Sequence, residues 1–233
     1  DAFSPLTGQQ FDDIILDLRY NPGGYVNTSQ QLCSALAPAT AMGQPFLHMT
    51  YNDKINKTET LNFESSPLTG GASLSYQNLY VLTSGNTASA SEIVINCLKP
   101  YMEGRLYQVG TATFGKNVAQ QLFTNAEAPG IELWLTTTYL SNSQGYYDYF
   151  KNGLLPDFEI EENYGAELGD FGSAEDQLMQ PVLYRMENGS FPVVTNPDES
   201  EDATTLSRSR TSKHVQLLVD PIAQKPHYNR IKR

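Results

Sequence analysis

The sequence predicts an α/β fold, a mostly parallel sheet with flanking helices and a peripheral β-hairpin, and three observations carry that reading. Short apolar runs at residues 11–19, 79–83 and 106–109 each end in a loop rich in glycine or small residues. Helical periodicity follows the first two loops, the strand–loop–helix order that builds parallel sheets. Between those two units, residues 46–51 and 59–63 read as strands around a polar turn, which makes the hairpin.

Taken in order, the first strand passes into Asn21-Pro22-Gly23-Gly24, a run that only a tight loop accommodates. Asn27, Thr28 and Ser29 offer capping side chains for a helix whose apolar positions are Leu32, Cys33 and Leu36. Leu79 to Thr83 reads as a buried strand and Ser84 to Ser91 as a small-residue loop. Glu92 opens a helix through Ile93, Ile95, Cys97 and Leu98, and Pro100 stops it. Leu106 to Val109 is the next strand, with Gly110 to Lys116 as its loop. Residues 118–123 and 131–140 alternate as two further strands, the second holding Trp134, and Phe158 to Ile160 is a shorter candidate. Glu175 to Met186 reads as a late helix bent by Pro181, and Val215 to Val219 as an edge strand.

A chain of 233 residues, 39% hydrophobic, is long enough for one substantial core. Its formal net charge of -11 argues against a nucleic-acid partner. Acidic residues crowd 159–202 and basic ones follow from Arg208 onward, so the end of the chain reads either as a solvated tail or as a segment that meets acidic surface, membrane or partner. Cys33 and Cys97 each fall within a helix pattern, which fits two buried thiols better than a disulfide or a metal site. No apolar run reaches membrane-spanning length. The start at Asp1, almost directly on a buried strand, suggests a fragment of a longer chain, and any export signal would precede it.

The chemistry points first to Thr87-Ala88-Ser89-Ala90-Ser91-Glu92-Ile93, where a strand hands over to a helix. A hydroxyl there sits among unpaired backbone N–H groups at the positive end of the helix dipole, which suits a nucleophile. The same segment also fits a plain helix cap at Ser89 or Ser91. Serine needs a base, and His48, His214 and His227 all lie outside the glycine-rich loops. Lys116 follows the next strand, so parallel topology brings it toward the Ser89 loop. A lysine acts as a base only when neutral, and Phe114 and Val118 are the apolar neighbours expected to cover it. Gly23 or Gly24 offers a backbone N–H that pairs with that of Ala90 as an oxyanion hole. All three loops follow strands and so share one sheet edge.

Together, Leu16-Asp17-Leu18-Arg19-Tyr20-Asn21-Pro22-Gly23-Gly24, residues 84–93 and residues 110–116 resemble the signature of the C-terminal processing, or tail-specific, peptidases. Gly153-Leu154-Leu155-Pro156-Asp157 and Asp176-Gln177-Leu178 extend the resemblance over residues 11–187. The resemblance implies a ClpP/crotonase-like fold and a Ser–Lys dyad. Ser89 falls on the family's nucleophile, Lys116 on its general base and Gln120 on the glutamine that orients the dyad, while Gly23 or Gly24 and Ala90 fall on the oxyanion donors. Ser91 then starts the helix. Three departures stand out: a longer segment between Ser89 and Lys116, no counterpart in residues 96–100 of an Asp common in the family, and Asn117 where glycine is usual.

The implied activity is serine-type endopeptidase action near the C-termini of peptide or unfolded protein substrates, with no cofactor and no metal. Residues 1–190 would form the catalytic domain and 191–233 a charged tail, the family's PDZ domain being absent from this chain. The implied location is the bacterial cell envelope, periplasmic or as a lipoprotein, with membrane association through a segment outside this chain. No residue pattern specifies an oligomer. Two rival readings are a peptide-binding module on the same scaffold and a crotonase-like acyl-thioester enzyme, which would need a coenzyme A site that the residues do not suggest.

Overall fold

The computed structural model describes residues 3–193. Eight strands divide into two four-stranded sheets. The first contains β1 (Asp13–Asp17), β4 (Asn78–Thr83), β5 (Leu106–Gly110) and β8 (Phe158–Glu159), in that order and all parallel. The second contains β3 (Thr58–Asn62), β2 (Pro45–Tyr51), β7 (Glu132–Ser141) and β6 (Val118–Thr124), all antiparallel.

This corrects the expected ClpP/crotonase-like architecture of one mostly parallel sheet with a peripheral hairpin. The hairpin forms, but β2 pairs with β7 as well as β3 and so lies inside a second sheet. The physical reason is local. Residues 125–131 connect β6 to β7, too short a link for a parallel crossover, and residues 52–57 do the same for β2 and β3. Half of each such sheet can face water, and the outer part of β7 is exposed.

Three helices flank the parallel sheet. α1 (Val26–Leu36) and α2 (Ala90–Leu98) pack with Leu79 and Val81 of β4 in one cluster, which also takes in Phe46, Leu47 and Leu140 from the antiparallel sheet. Tyr80 and Leu82, the alternate residues of β4, face Leu178, Met179 and Val182 around α3 (Met179–Asn188). The strand's two-residue period thus builds two cores from one segment. All nine residues of α2 are buried, because the helix sits between the parallel sheet and the second layer.

Some helix boundaries move. α1 begins at Val26 with Tyr25 before it, so Asn27, Thr28 and Ser29 occupy the first turn, and the Ser29 hydroxyl donates back to the Val26 carbonyl at 2.7 Å. α3 starts at Met179, which puts Pro181 in the first turn, where its missing N–H costs nothing. Cys33 and Cys97 are free and buried; burial pushes the Cys33 thiol up, and the nearby Cys97 adds to that. Val215 to Val219, His214, His227 and the charged tail from 194 onward lie outside the described residues.

Arg19 ties the two sides together just past β1. Its guanidinium donates to Asp17, to Asp176 ahead of α3 and to Glu162, at 2.6, 2.7 and 3.0 Å. Burial disfavours the cation, but Asp17 and Asp176 outweigh that and hold it more firmly protonated than an ordinary arginine. The Asp176 and Glu162 side chains are themselves buried, so removing the guanidinium leaves two carboxylates without their cation, held only by backbone and tyrosine donors. Arg19→Met is expected to lower the unfolding free energy by about 3–5 kcal/mol, read from urea denaturation. A loss within the noise would show that the cluster is not held in solution.

Candidate active site

Ser89 is the residue before α2 and has φ 57° and ψ -118°, a backbone state that a non-glycine residue adopts only when its surroundings impose it. The surroundings are visible. The Ser89 N–H donates to Glu92 Oε2 at 2.8 Å, the Ala88 N–H donates to the Asn21 carbonyl at 3.1 Å, and the Thr87 hydroxyl donates to the Leu18 carbonyl at 2.7 Å. The turn is therefore held both by its own helix and by the loop that follows β1.

Glu92 is fully buried and joins the two loops of interest. Its Oε1 accepts from the Thr113 hydroxyl and the Gly115 N–H, each at 2.6 Å. Its Oε2 accepts from the N–H groups of Ser89 and Lys116, each at 2.8 Å. The amide nitrogens of Ser89 and Lys116 thus lie no more than twice that distance apart. A carboxylate with four donors saturates its acceptor sites, which makes the clamp directional as well as strong.

The other side of the Lys116 loop is braced by the segment after β7. Leu154 and Thr113 exchange hydrogen bonds at 2.7 and 3.2 Å, and Asp157 Oδ2 accepts the Gln108 N–H at 2.7 Å. Gly153 and Gly115 have positive φ, and a Cβ on either would run into backbone. Side-chain-free backbone is what lets the Gly153 to Asp157 segment press this close.

Gly23 packs equally tightly on the Ser89 turn. A Cβ there would lie 2.5 Å from the Ala88 carbonyl oxygen and 2.6 Å from the Ala90 nitrogen. Its own N–H donates to Asn21 Oδ1 at 3.0 Å, whereas the N–H groups of Gly24 and Ala90 enter no hydrogen bond among the described residues. Both are thus available to an incoming oxyanion.

Lys116 is half-buried, and its Nζ donates to Gln120 Oε1 at 3.4 Å. Among the described residues, no hydrogen bond joins Lys116 Nζ to Ser89 Oγ. Phe114 does not cover the amine as expected, for its side chain is 62% exposed while its N–H donates to the Thr87 carbonyl. The structure thus brings Ser89, Ala90, Gly23 and the Lys116 backbone together, and leaves the Lys116 amine on Gln120.

Glu92 is the residue that sequence reading took only for a helix opener. The available signal was Ser89-x-x-Glu92, the spacing in which a third-position glutamate reaches back to the residue before the helix. The departures at residues 96 and 117 have partners of their own. Asn96 Nδ2 donates to the Tyr146 carbonyl at 3.1 Å and its Oδ1 accepts from Asn142, while Asn117 Nδ2 donates to the Tyr147 carbonyl at 2.7 Å. His48 Nδ1 lies 2.8 Å from the Thr60 hydroxyl across the β2–β3 pair, a structural contact.

A separate cleft of about 170 Å³ opens at the carboxyl ends of β4 and β5, lined by Tyr20, Ser84, Asn86, Glu162 and Tyr164 among others. It does not include Ser89 or Lys116. Among the described residues there is no cluster of three metal-ligating side chains, and no helix is long and apolar enough to cross a membrane.

The model of Peptidase family S41 matches residues 1–160. A carboxyl-terminal-processing protease of Synechocystis is 30% identical over 188 residues, covering 81% of this chain and 40% of the relative. The carboxy-terminal processing protease CtpB of Bacillus subtilis is 26% identical over 190 residues, covering 80% and 35%. Among solved structures, a putative S41 protease from Bacteroides fragilis superposes with a TM-score of 0.67 at 34% identity, covering 77% of this chain and 46% of that one. The chain therefore spans less than half the length of these relatives.

Proposed function

Because the chain belongs to peptidase family S41, we propose that residues 1–190 act as the catalytic domain of a serine-type endopeptidase working by a Ser89–Lys116 dyad. The observation that carries this reading is the Glu92 carboxylate, which binds the backbone N–H of both residues and so fixes two distant loops against each other. An uncharged Lys116 amine takes the Ser89 proton as Oγ attacks a peptide carbonyl. The N–H groups of Ala90 and of the Gly23–Gly24 loop receive the oxyanion. Lys116 then protonates the leaving amine, and water hydrolyses the acyl-enzyme. Since Lys116 Nζ sits on Gln120, the first step requires that flexible side chain to turn toward Ser89, with Gln120 as its resting partner.

The relatives' names support protein substrates and cleavage near C-termini, and a bacterial envelope setting is proposed from membership of the family alone. The same scaffold used only for peptide binding is the reading to separate from this one. A fluorophosphonate probe is expected to label Ser89 in a single modified peptide, detected by mass spectrometry, after prolonged incubation across a range of probe concentrations. No label at Ser89 under any of these conditions would leave the binding module as the better account.

A further inference from the structure

The antiparallel sheet ends in β6, whose outer edge receives no backbone hydrogen bond among the described residues. Sheet edges are ordinarily protected by charge, proline or brevity. The other three edges follow that rule: β1 carries Asp13 and Asp17, β3 carries Glu59, and β8 is two residues long with Glu159. β6 breaks it. Its seven residues, Val118-Ala119-Gln120-Gln121-Leu122-Phe123-Thr124, include no charge and no proline. It also begins two residues beyond Lys116.

The two faces of this strand differ. Ala119 packs on the main core, and Gln121 Nε2 donates to the Tyr51 hydroxyl at 3.4 Å, so these two turn toward the body, while Phe123, farther along the same face, is 44% exposed. Gln120, the partner of Lys116 Nζ, lies on the opposite face with Leu122. Leu122 stands directly across from Trp134 of β7, and both are exposed, at 43% and 52%. This apolar pair lies about 7 Å along the strand from Gln120, the distance of two residues in an extended chain.

We infer that β6 receives the substrate itself, an extended stretch of polypeptide that adds to its free edge and sets an apolar side chain against Leu122 and Trp134. The inference rests on the peptidase reading and specifies its substrate: an unfolded, apolar segment in strand form, with main-chain bonds giving affinity and the Leu122–Trp134 pair giving preference. The edge and the apolar pair are both continuous with Gln120 and Lys116, so a chain lying there leads directly to the proposed dyad. An uncharged edge of this length is otherwise a liability, and its position beside the proposed base gives it a use.

The experiment reads binding rather than cleavage. Ser89→Ala protein is titrated into a fluorescein-labelled Ala/Leu peptide as long as β6, followed by fluorescence anisotropy, and then into peptides N-methylated at one backbone amide at a time. Methylation at one alternate set of amides is expected to weaken binding by about tenfold or more, and at the other set by about twofold or less, because only every second N–H faces the added strand. Replacing the leucines by aspartate should weaken binding similarly, and Trp134→Ala or Leu122→Ala should shrink that leucine-over-aspartate preference. Equal loss at every methylated position, or a preference unmoved by both substitutions, would overturn the inference. So would self-association in sedimentation velocity that Leu122→Asp abolishes, since the edge would then belong to a second copy. Alternating loss together with an unlabelled Ser89 in the wild type would keep the edge site and remove only the peptidase reading.

Discussion

Ser89→Ala and Lys116→Ala are each expected to reduce peptide cleavage by about four orders of magnitude while leaving the unfolding free energy within about 1 kcal/mol of the parent. The activity arm follows from the division of labour. Without Oγ there is no acyl-enzyme, and without the amine nothing removes the proton, so either loss returns the reaction to what binding and the oxyanion donors alone can do. The stability arm follows from the structure: Lys116 is half-buried, and among the described residues its side chain makes one hydrogen bond, the 3.4 Å contact to Gln120. Groups that act as one unit are not additive, so the double variant should be no slower than the slower single one. Steady-state kinetics on an unfolded protein substrate, with urea melts of each variant, checks both arms. Substantial turnover in either single variant would refute the dyad.

Glu92→Ala should damage both stability and turnover, which separates it from the dyad residues. The substitution leaves three backbone N–H groups and the Thr113 hydroxyl without their acceptor in a site where Glu92 itself is fully buried. An unmet buried donor costs about 1–3 kcal/mol, and after relaxation the sum should be on the order of 3 kcal/mol. The surviving folded protein should turn over at least about a hundredfold more slowly, because the Ser89 and Lys116 loops are no longer tied. Glu92→Gln is the more pointed version. It keeps the volume but turns an N–H₂ group toward N–H and O–H donors, so it should lose activity despite its near-identical shape. Activity close to the parent in Glu92→Gln would mean that the four bonds do not position the loops.

Much of this site could be read from residues alone, because its signals are local. A strand running into Asn21-Pro22-Gly23-Gly24, or into the small residues before Glu92, marks a loop whatever the rest of the chain does. The partition into two sheets was harder, since the partner of a strand is a non-local choice. The alternation of residues 118–123 and 131–140 marks two strands, and the short link between them, which the expectation of a mostly parallel sheet left unused, is what makes the pair antiparallel. Phe114 shows a different gap: its backbone is pinned to Thr87, and nothing in the neighbouring residues says that its ring points to solvent. Ahead of α3, Asp176 accepts the Leu178 N–H locally, and its ion pair with Arg19, a contact across more than half the chain, is what local pattern does not reveal.

Lys116 lies on the stretch that leaves β5 of one sheet and enters β6 of the other, whereas Ser89 hangs from β4 of the first. On the proposed reading the reacting groups straddle a seam. The core that closes this seam includes Phe46 and Leu47 on one side and Leu79 and Val81 on the other. A sliding of the layers by a fraction of a side chain would pull Gln120 away from the serine turn without unfolding either sheet. The chemistry is therefore a gauge of how well the two layers are seated.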